Sequence, residues 1–264
     1  MVAAESFWGN IASQIGGAHV SVTSIISDPS ADPHLYESDA RDAAALAEAK
    51  LVIENGVGYD DFIDKLLGAT SNEGRVVLSA AKVLGVTADN ANPHLWYDIP
   101  RVHEVAAAIE TQLLAADPAH RADYATNLAK FDASLLPLLA VIHEIATRYP
   151  QAAVAYTERV AGYLLAAADL AVKSPAGFSQ AIENGNEPSV GDTQTMNALI
   201  TEHGVRVLLS NSQATSPVTE HLQDLARQSG VPVVGVSETL PAGEPDYQTW
   251  QLHQLQQLLA ALGG

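Results

Sequence analysis

Two short segments of this chain repeat one pattern: Asp32-Pro33-His34-Leu35-Tyr36 and Asn92-Pro93-His94-Leu95-Trp96. Each reads Asx-Pro-His-Leu-aromatic, and each lies in a loop after a region with strand character. Proline fixes its own φ and steers the residue before it away from helix, so each imidazole is carried on a stiff loop. A metal site needs that stiffness, because its ligand atoms must hold their places before the ion arrives. One histidine beside a proline is ordinarily a surface or hydrogen-bonded residue. The repetition is what makes His34 and His94 ligand candidates. Asp32 and Asn92 either support the neighbouring histidine or cap their own turns, since Asx-Pro favours turn initiation. Tyr36, Trp96 and Tyr97 are placed either to wall such a site or to pack beside it.

The elements that must position these loops follow from hydrophobic patterning. Short β-branched runs at 2–4, 19–26, 51–54 and 75–78 read as buried parallel strands, with helical patterns at 38–49 and 60–67 between them. Ser38 is the expected N-cap of the first of these helices, and Asn55-Gly56 gives a tight exit from the strand before it. From Pro118 onward Tyr124, Leu128, Phe131, Leu135, Leu138, Leu139, Ile142 and Ile145 recur at helical spacing, which predicts one long helix ending at Tyr149-Pro150. A second β/α series follows, with strands at 152–156, 205–210 and 232–236 and helices at 159–168, 192–203, 217–228 and 246–262. The expected division is a β/α lobe over 1–116, a connecting helix over 117–149 and a second β/α lobe over 150–264.

Bulk composition excludes several function classes. The 264 residues are 47% hydrophobic and 17% charged, enough for a large core or two smaller ones. There is no cysteine, hence no disulfide framework and no thiolate metal site. The net charge of −18, from 13 basic against 31 acidic residues, opposes a nucleic-acid partner and gathers cations, though solubility alone also accounts for such a charge. No apolar run approaches the ~20 residues of a membrane-spanning helix, and the first residues lack the pattern of a signal peptide.

Together the two His loops and the segment Val52-Ile53-Glu54-Asn55-Gly56-Val57-Gly58-Tyr59-Asp60, in this order and spacing, resemble the zinc- and manganese-binding solute-binding proteins of ABC importers, the family of metal-binding lipoprotein adhesins. The resemblance covers nearly the whole chain. It implies an α/β fold of two lobes joined by one long helix, with one metal ion held in the interlobe cleft. It also implies that His34 and His94 are the first two ligands. A third, His or Glu in the family, matches Glu158 in Tyr156-Thr157-Glu158; the fourth, usually Asp, matches Glu238 in Val236-Ser237-Glu238-Thr239-Leu240. Glu in place of Asp departs from the family and lengthens the side chain by one methylene. Glu158 has an alternative role as a carboxylate at a helix N-terminus.

Two imidazoles with two carboxylates are a harder donor set than three histidines, which tilts the cargo towards Mn(II), while the intrinsic affinity order keeps Zn(II) in contention. The stretch 79–92 also lacks the histidine-rich loop that zinc carriers of the family often have. Imidazoles ligate only when neutral, so affinity is expected to fall with pH through the ordinary histidine range near ~6.5. His103, His120, His143, His203, His221 and His253 fall in helical patterns without a matching partner and are assigned no metal. The resemblance further implies a monomer that delivers its ion to a cognate ABC permease, and an exported protein whose leader and lipid anchor lie outside this sequence. Two rivals are set against this reading. A zinc metallohydrolase lacks any His-Glu-x-x-His or Gly-x-Ser-x-Gly motif here. A siderophore or cobalamin carrier of the same fold would want a wide aromatic or Arg-lined cleft in place of twin Asx-Pro-His loops.

Overall fold

Val2, Ala4 and Val52 bury their side chains on one face of a sheet while Ala3 faces the other, so neither face of the strands is left to solvent. In the computed structural model, which describes residues 1–29, 36–88 and 91–263, this pattern gives the first of two four-stranded parallel sheets. Its elements are β1 (Val2–Glu5), α1 (Ser6–Gly16), β2 (Thr23–Ile26), α2 (Ala40–Glu48), β3 (Leu51–Glu54), α3 (Asp61–Ala69), β4 (Val76–Ser79), α4 (Ala80–Leu84) and α5 (Val102–Ala116). The strand order is β2-β1-β3-β4, with Val2 beside both Thr23 and Val52. Leu46 of α2 and Phe62, Ile63 and Leu66 of α3 pack on the face of Val2 and Ala4.

The helix α1 was not among the expected elements, although Phe7, Ile11 and Ile15 stand at helical spacing across Gly9. In the structure Gly9 marks close packing: a Cβ there would lie 2.0 Å from Ser24 Oγ and 3.4 Å from the Ala3 Cβ. The helix is thereby seated on the sheet face opposite α2 and α3, burying Phe7, Trp8, Ile11 and Ile15. The strand expected over 19–26 is shorter, because Gly17–His19 forms a 3-10 turn and only Thr23–Ile26 pairs. The cap expected at Ser38 belongs to Asp39, which accepts hydrogen bonds from Arg41 N and Asp42 N while Asp42 accepts from Asp39 N.

The long helix is α6 (Arg121–Arg148), 28 residues preceded by a 3-10 turn at Pro118–His120, or about 42 Å of helix. Pro137 lies inside it. The second series comprises β5 (Ala153–Tyr156), α7 (Gly162–Ala167), β6 (Ala171–Val172), α8 (Ala176–Glu183), α9 (Val190–Thr201), β7 (Leu208–Asn211), α10 (Pro217–Ser229), β8 (Val233–Val236) and α11 (Tyr247–Ala261). Its parallel sheet has the order β6-β5-β7-β8, the same topology as the first. Phe178, Met196, Ile200, Leu222 and Ala226 from α8, α9 and α10 bury Ala155 and Leu208 on one face. Two elements, β6 and α8, went unread in the sequence; a two-residue strand is too short to show a period.

Contacts divide the chain into two compact units, one of Met1–Leu136 with Thr239–Thr249 and one of Pro137–Glu238 with Trp250–Gly264. The division cuts α6 at Leu136/Pro137 and α11 at Thr249/Trp250.

Candidate metal centre

In the first unit the described half of the candidate site is His94, fully buried at the end of the loop that leads into a 3-10 turn, Leu95–Tyr97. The backbone N–H of His94 donates to Asn92 Oδ1 at 3.1 Å, and the ring Nδ1 lies 2.7 Å from the same oxygen. A backbone N–H can only donate, so the Asn92 atom facing it is the amide oxygen. Nδ1 must then carry a hydrogen, so that in the neutral ring Nε2 is the acceptor nitrogen, the form in which imidazole ligates metal. The ring meets Trp96 at 5.3 Å and Tyr59 at 5.8 Å between centroids, both near edge-to-face. Trp96 is itself stacked on Phe7 at 3.9 Å, and its carbonyl accepts from the Tyr247 hydroxyl. Trp96 and Tyr97 are fully buried; Tyr36 donates to Asp42 Oδ2 at 2.7 Å and tilts against Phe62. His34, the other histidine candidate, lies outside the described residues, as does Asp32.

The loop of His94 is tied to the sheet by Asn55, just beyond β3. Its amide donates to Pro93 O at 2.8 Å and accepts from Trp8 Nε1 at 3.2 Å. Asn55 is fixed in turn by Asp60, whose two carboxylate oxygens accept from Asn55 N at 2.6 Å and Gly56 N at 2.7 Å. The turn between them needs positive φ at Gly56 (83°), Val57 (59°) and Gly58 (76°). At Gly56 a Cβ would also come within 3.0 Å of Ala81 Cβ and Ser79 Oγ. Burial pushes the Asp60 carboxyl up to about 6 against the pull of those two N–H groups. Glu5, near Asp60, is pushed well above the carboxylate range by burial and by the Asp60 charge. Beside them a cavity of about 470 Å³ is lined by Glu54, Asp60, Asp61, Asp64, Ser79 and Lys82 among others.

In the second unit the adjacent strands β5, β7 and β8 end side by side, and their carboxyl ends carry Glu158, Asn211 and Glu238. All three side chains are buried, at 2%, 1% and 0% exposure. The Asn211 amide nitrogen donates at 2.6 Å to Glu158 Oε2 and at 2.6 Å to Glu238 Oε1. One amide therefore holds an oxygen of each carboxylate within a few ångströms of the other. Two like charges brought together away from water raise each other's energy, and a cation or a proton between them removes that cost. Nothing in the sequence singled out Asn211, because its importance lies in strand adjacency. Ser237, next to Glu238, accepts from Trp250 Nε1 at 3.0 Å, and its N–H donates to Gln254 Oε1 at 3.3 Å. Arg159, next to Glu158, is engaged bidentately by buried Glu183 at 2.7 and 2.8 Å.

Among the described residues no three His, Asp or Glu side chains form a group ready to hold an ion. His19, which the sequence reading passed over, stacks on His120 at 3.7 Å; the two rings lie 2.8 Å from Asp123 and 2.6 Å from Asp117.

Residues 1–261 match the family described as zinc-uptake complex component A, periplasmic. The manganese-binding lipoprotein MntA of Bacillus subtilis is 23% identical over 231 residues, covering 83% of this chain and 72% of its own length. Among solved structures, the periplasmic zinc-binding protein TroA of Treponema pallidum superposes with a TM-score of 0.84 at 21% identity, covering 100% of this chain and 98% of that one. The substrate-binding protein FpvC of Pseudomonas aeruginosa, in complex with Mn2+, gives 0.80 at 23% identity, covering 99% and 96%. Members of this family are extracytoplasmic, bind divalent metals and serve ABC transporters; they are not enzymes. With its paired parallel-sheet lobes, long helix and near-complete family match, the chain belongs to the zinc-uptake complex component A family of metal-binding substrate-binding proteins.

Proposed function

We propose that this protein captures one divalent transition-metal ion outside the cytoplasm, with His34, His94, Glu158 and Glu238 as its ligands, and as a monomer delivers it to an ABC permease. The observation that carries the reading is the buried pair Glu158 and Glu238 sharing the Asn211 amide at 2.6 Å each, a concentration of negative charge that a cation relieves. His94, with a hydrogen on Nδ1, would offer its Nε2 to the ion. The donor set of two imidazoles and two carboxylates leans to Mn(II) on hardness, and Zn(II) is the competing cargo by intrinsic affinity.

The test is titration of chelator-stripped protein with Mn(II) and with Zn(II), alongside His94→Ala and the double variant Glu158→Gln/Glu238→Gln. One equivalent bound by the wild type, weakened at least a hundredfold in both variants, is expected. Unaltered affinity in the double variant would remove the carboxylates from the ligand set. No binding of either ion by folded wild type would end the metal assignment and favour a larger chelated cargo.

A further inference from the structure

We propose that Asn211 is a specificity-determining residue that restricts Glu158 and Glu238 to one-oxygen ligation and so selects against ions that need a high coordination number. This inference rests on the ligand set proposed above.

The Asn211 side chain donates from one nitrogen to one oxygen of each carboxylate, Glu158 Oε2 and Glu238 Oε1, both at 2.6 Å. Such short, charge-assisted bonds use both hydrogens of the amide. The donor cannot drift, because its own position is fixed by the sheet and by a closed ring of hydrogen bonds. Asn211 N donates to Thr157 Oγ1 at 3.2 Å, which ties the residue to the segment that carries Glu158. Its Oδ1 accepts from Gln213 N at 3.0 Å, and Gln213 Oε1 accepts from the backbone N–H of Glu238. The strand register sets Asn211 opposite Val236, so neither carboxylate can move without breaking a bond to a strand end.

An oxygen held by an amide hydrogen is a weaker metal donor and is turned towards the amide. Each carboxylate then offers its second oxygen, and two imidazoles with two single oxygens make four donors. Four donors suit Zn(II), which is tetrahedral with nitrogen and oxygen ligands. Mn(II) prefers six-coordinate, oxygen-rich surroundings, which chelation by both oxygens of a carboxylate would help to supply. Asn211 therefore acts against the lean towards Mn(II) that the donor types alone give. The glutamate at 238, longer than the aspartate usual in the family, is kept from chelating by the same amide.

The experiment measures Mn(II) and Zn(II) dissociation constants and the visible spectrum of the Co(II) complex for wild type, Asn211→Ala and Asn211→Ser, each checked for folding by circular dichroism. Tetrahedral Co(II) absorbs far more strongly than six-coordinate Co(II), so the spectrum reports coordination number independently of affinity. The expected result is an intense Co(II) spectrum in the wild type that weakens in Asn211→Ala. The ratio of Mn(II) to Zn(II) affinity should rise about tenfold in the same variant, the scale of one charge-assisted hydrogen bond. Asn211→Ser, with one donor hydrogen in place of two, should fall between. If both ions weaken in equal proportion and the Co(II) spectrum is unchanged, Asn211 is merely structural and the inference fails while the carrier reading stands. If the wild type binds no ion, both fail.

Discussion

Glu5 is the residue at which burial and ionisation conflict most plainly. It ends β1 with no exposed surface, and burial with the nearby Asp60 charge holds its carboxyl well above the ordinary range. The unfolded chain ionises this group above about 4.5, so folding at neutral pH must take up a proton. The stability that Glu5 contributes is thus complete below that pH and is lost as pH rises towards its folded value. Asp60, raised from 3.8 to about 6, acts with the same sign over that narrower window. Glu5→Gln cannot ionise and is nearly isosteric with the protonated acid. It is expected to be more stable than wild type at pH 7 by on the order of 2 kcal/mol, with the gain vanishing near pH 4. Urea unfolding of both proteins across that range checks it; a gain that does not vary with pH would contradict the argument. At this scale much was legible: the Asx-Pro-His pattern marked Asn92 and His94 because their bond spans only two residues. Glu5 and Asp60 gave no signal, being 55 positions apart in the chain and joined only through the sheet.

At the scale of elements, α6 was readable from its period and its Tyr149-Pro150 stop, and it lacks one hydrogen bond because Pro137 has no N–H to donate. Pro137 is exposed, so no core contact depends on the ring. Pro137→Ala restores a donor to the helix and is expected to stabilise the protein by up to about 3 kcal/mol, seen as a higher thermal midpoint. A lowered midpoint would mean that the proline ring or its local bend is required by the surrounding packing. The opposite case is α1, which was not among the expected elements and whose Gly9 lets the helix lie so close to β2 that an added Cβ would fall 2.0 Å from Ser24 Oγ. The reason for a small residue set by a neighbouring strand cannot be read from the helix's own sequence.

For the whole molecule, an acidic balance of 31 against 13 and a family of metal-binding carriers point the same way, since a negative field concentrates cations. An ion that binds the native state alone adds about 2.7 kcal/mol of stability at a hundredfold excess over Kd. Stripped protein given Zn(II) or Mn(II) at that excess should unfold roughly 5–10 °C higher, and a chelator should reverse the shift. No shift in the wild type, or the same shift in the Glu158→Gln/Glu238→Gln variant, would show that the proposed ligands do not hold the ion.

The sequence by itself determined the alternation of strands and helices, the long helix and the stiff loop of Asn92-Pro93-His94, because each rests on interactions between residues close in the chain. The resemblance to a family of metal-binding proteins added Glu158 and Glu238 as candidates. Only the tertiary structure decided that these two carboxylates end adjacent strands with the Asn211 amide between them, that Asn55 ties Pro93 to β3, and that Glu5 meets Asp60. Those contacts depend on the order β2-β1-β3-β4 and β6-β5-β7-β8, in which strands far apart in sequence become neighbours. Hydrophobic periodicity records which side of an element is buried; it carries no record of which polar group waits on the next strand.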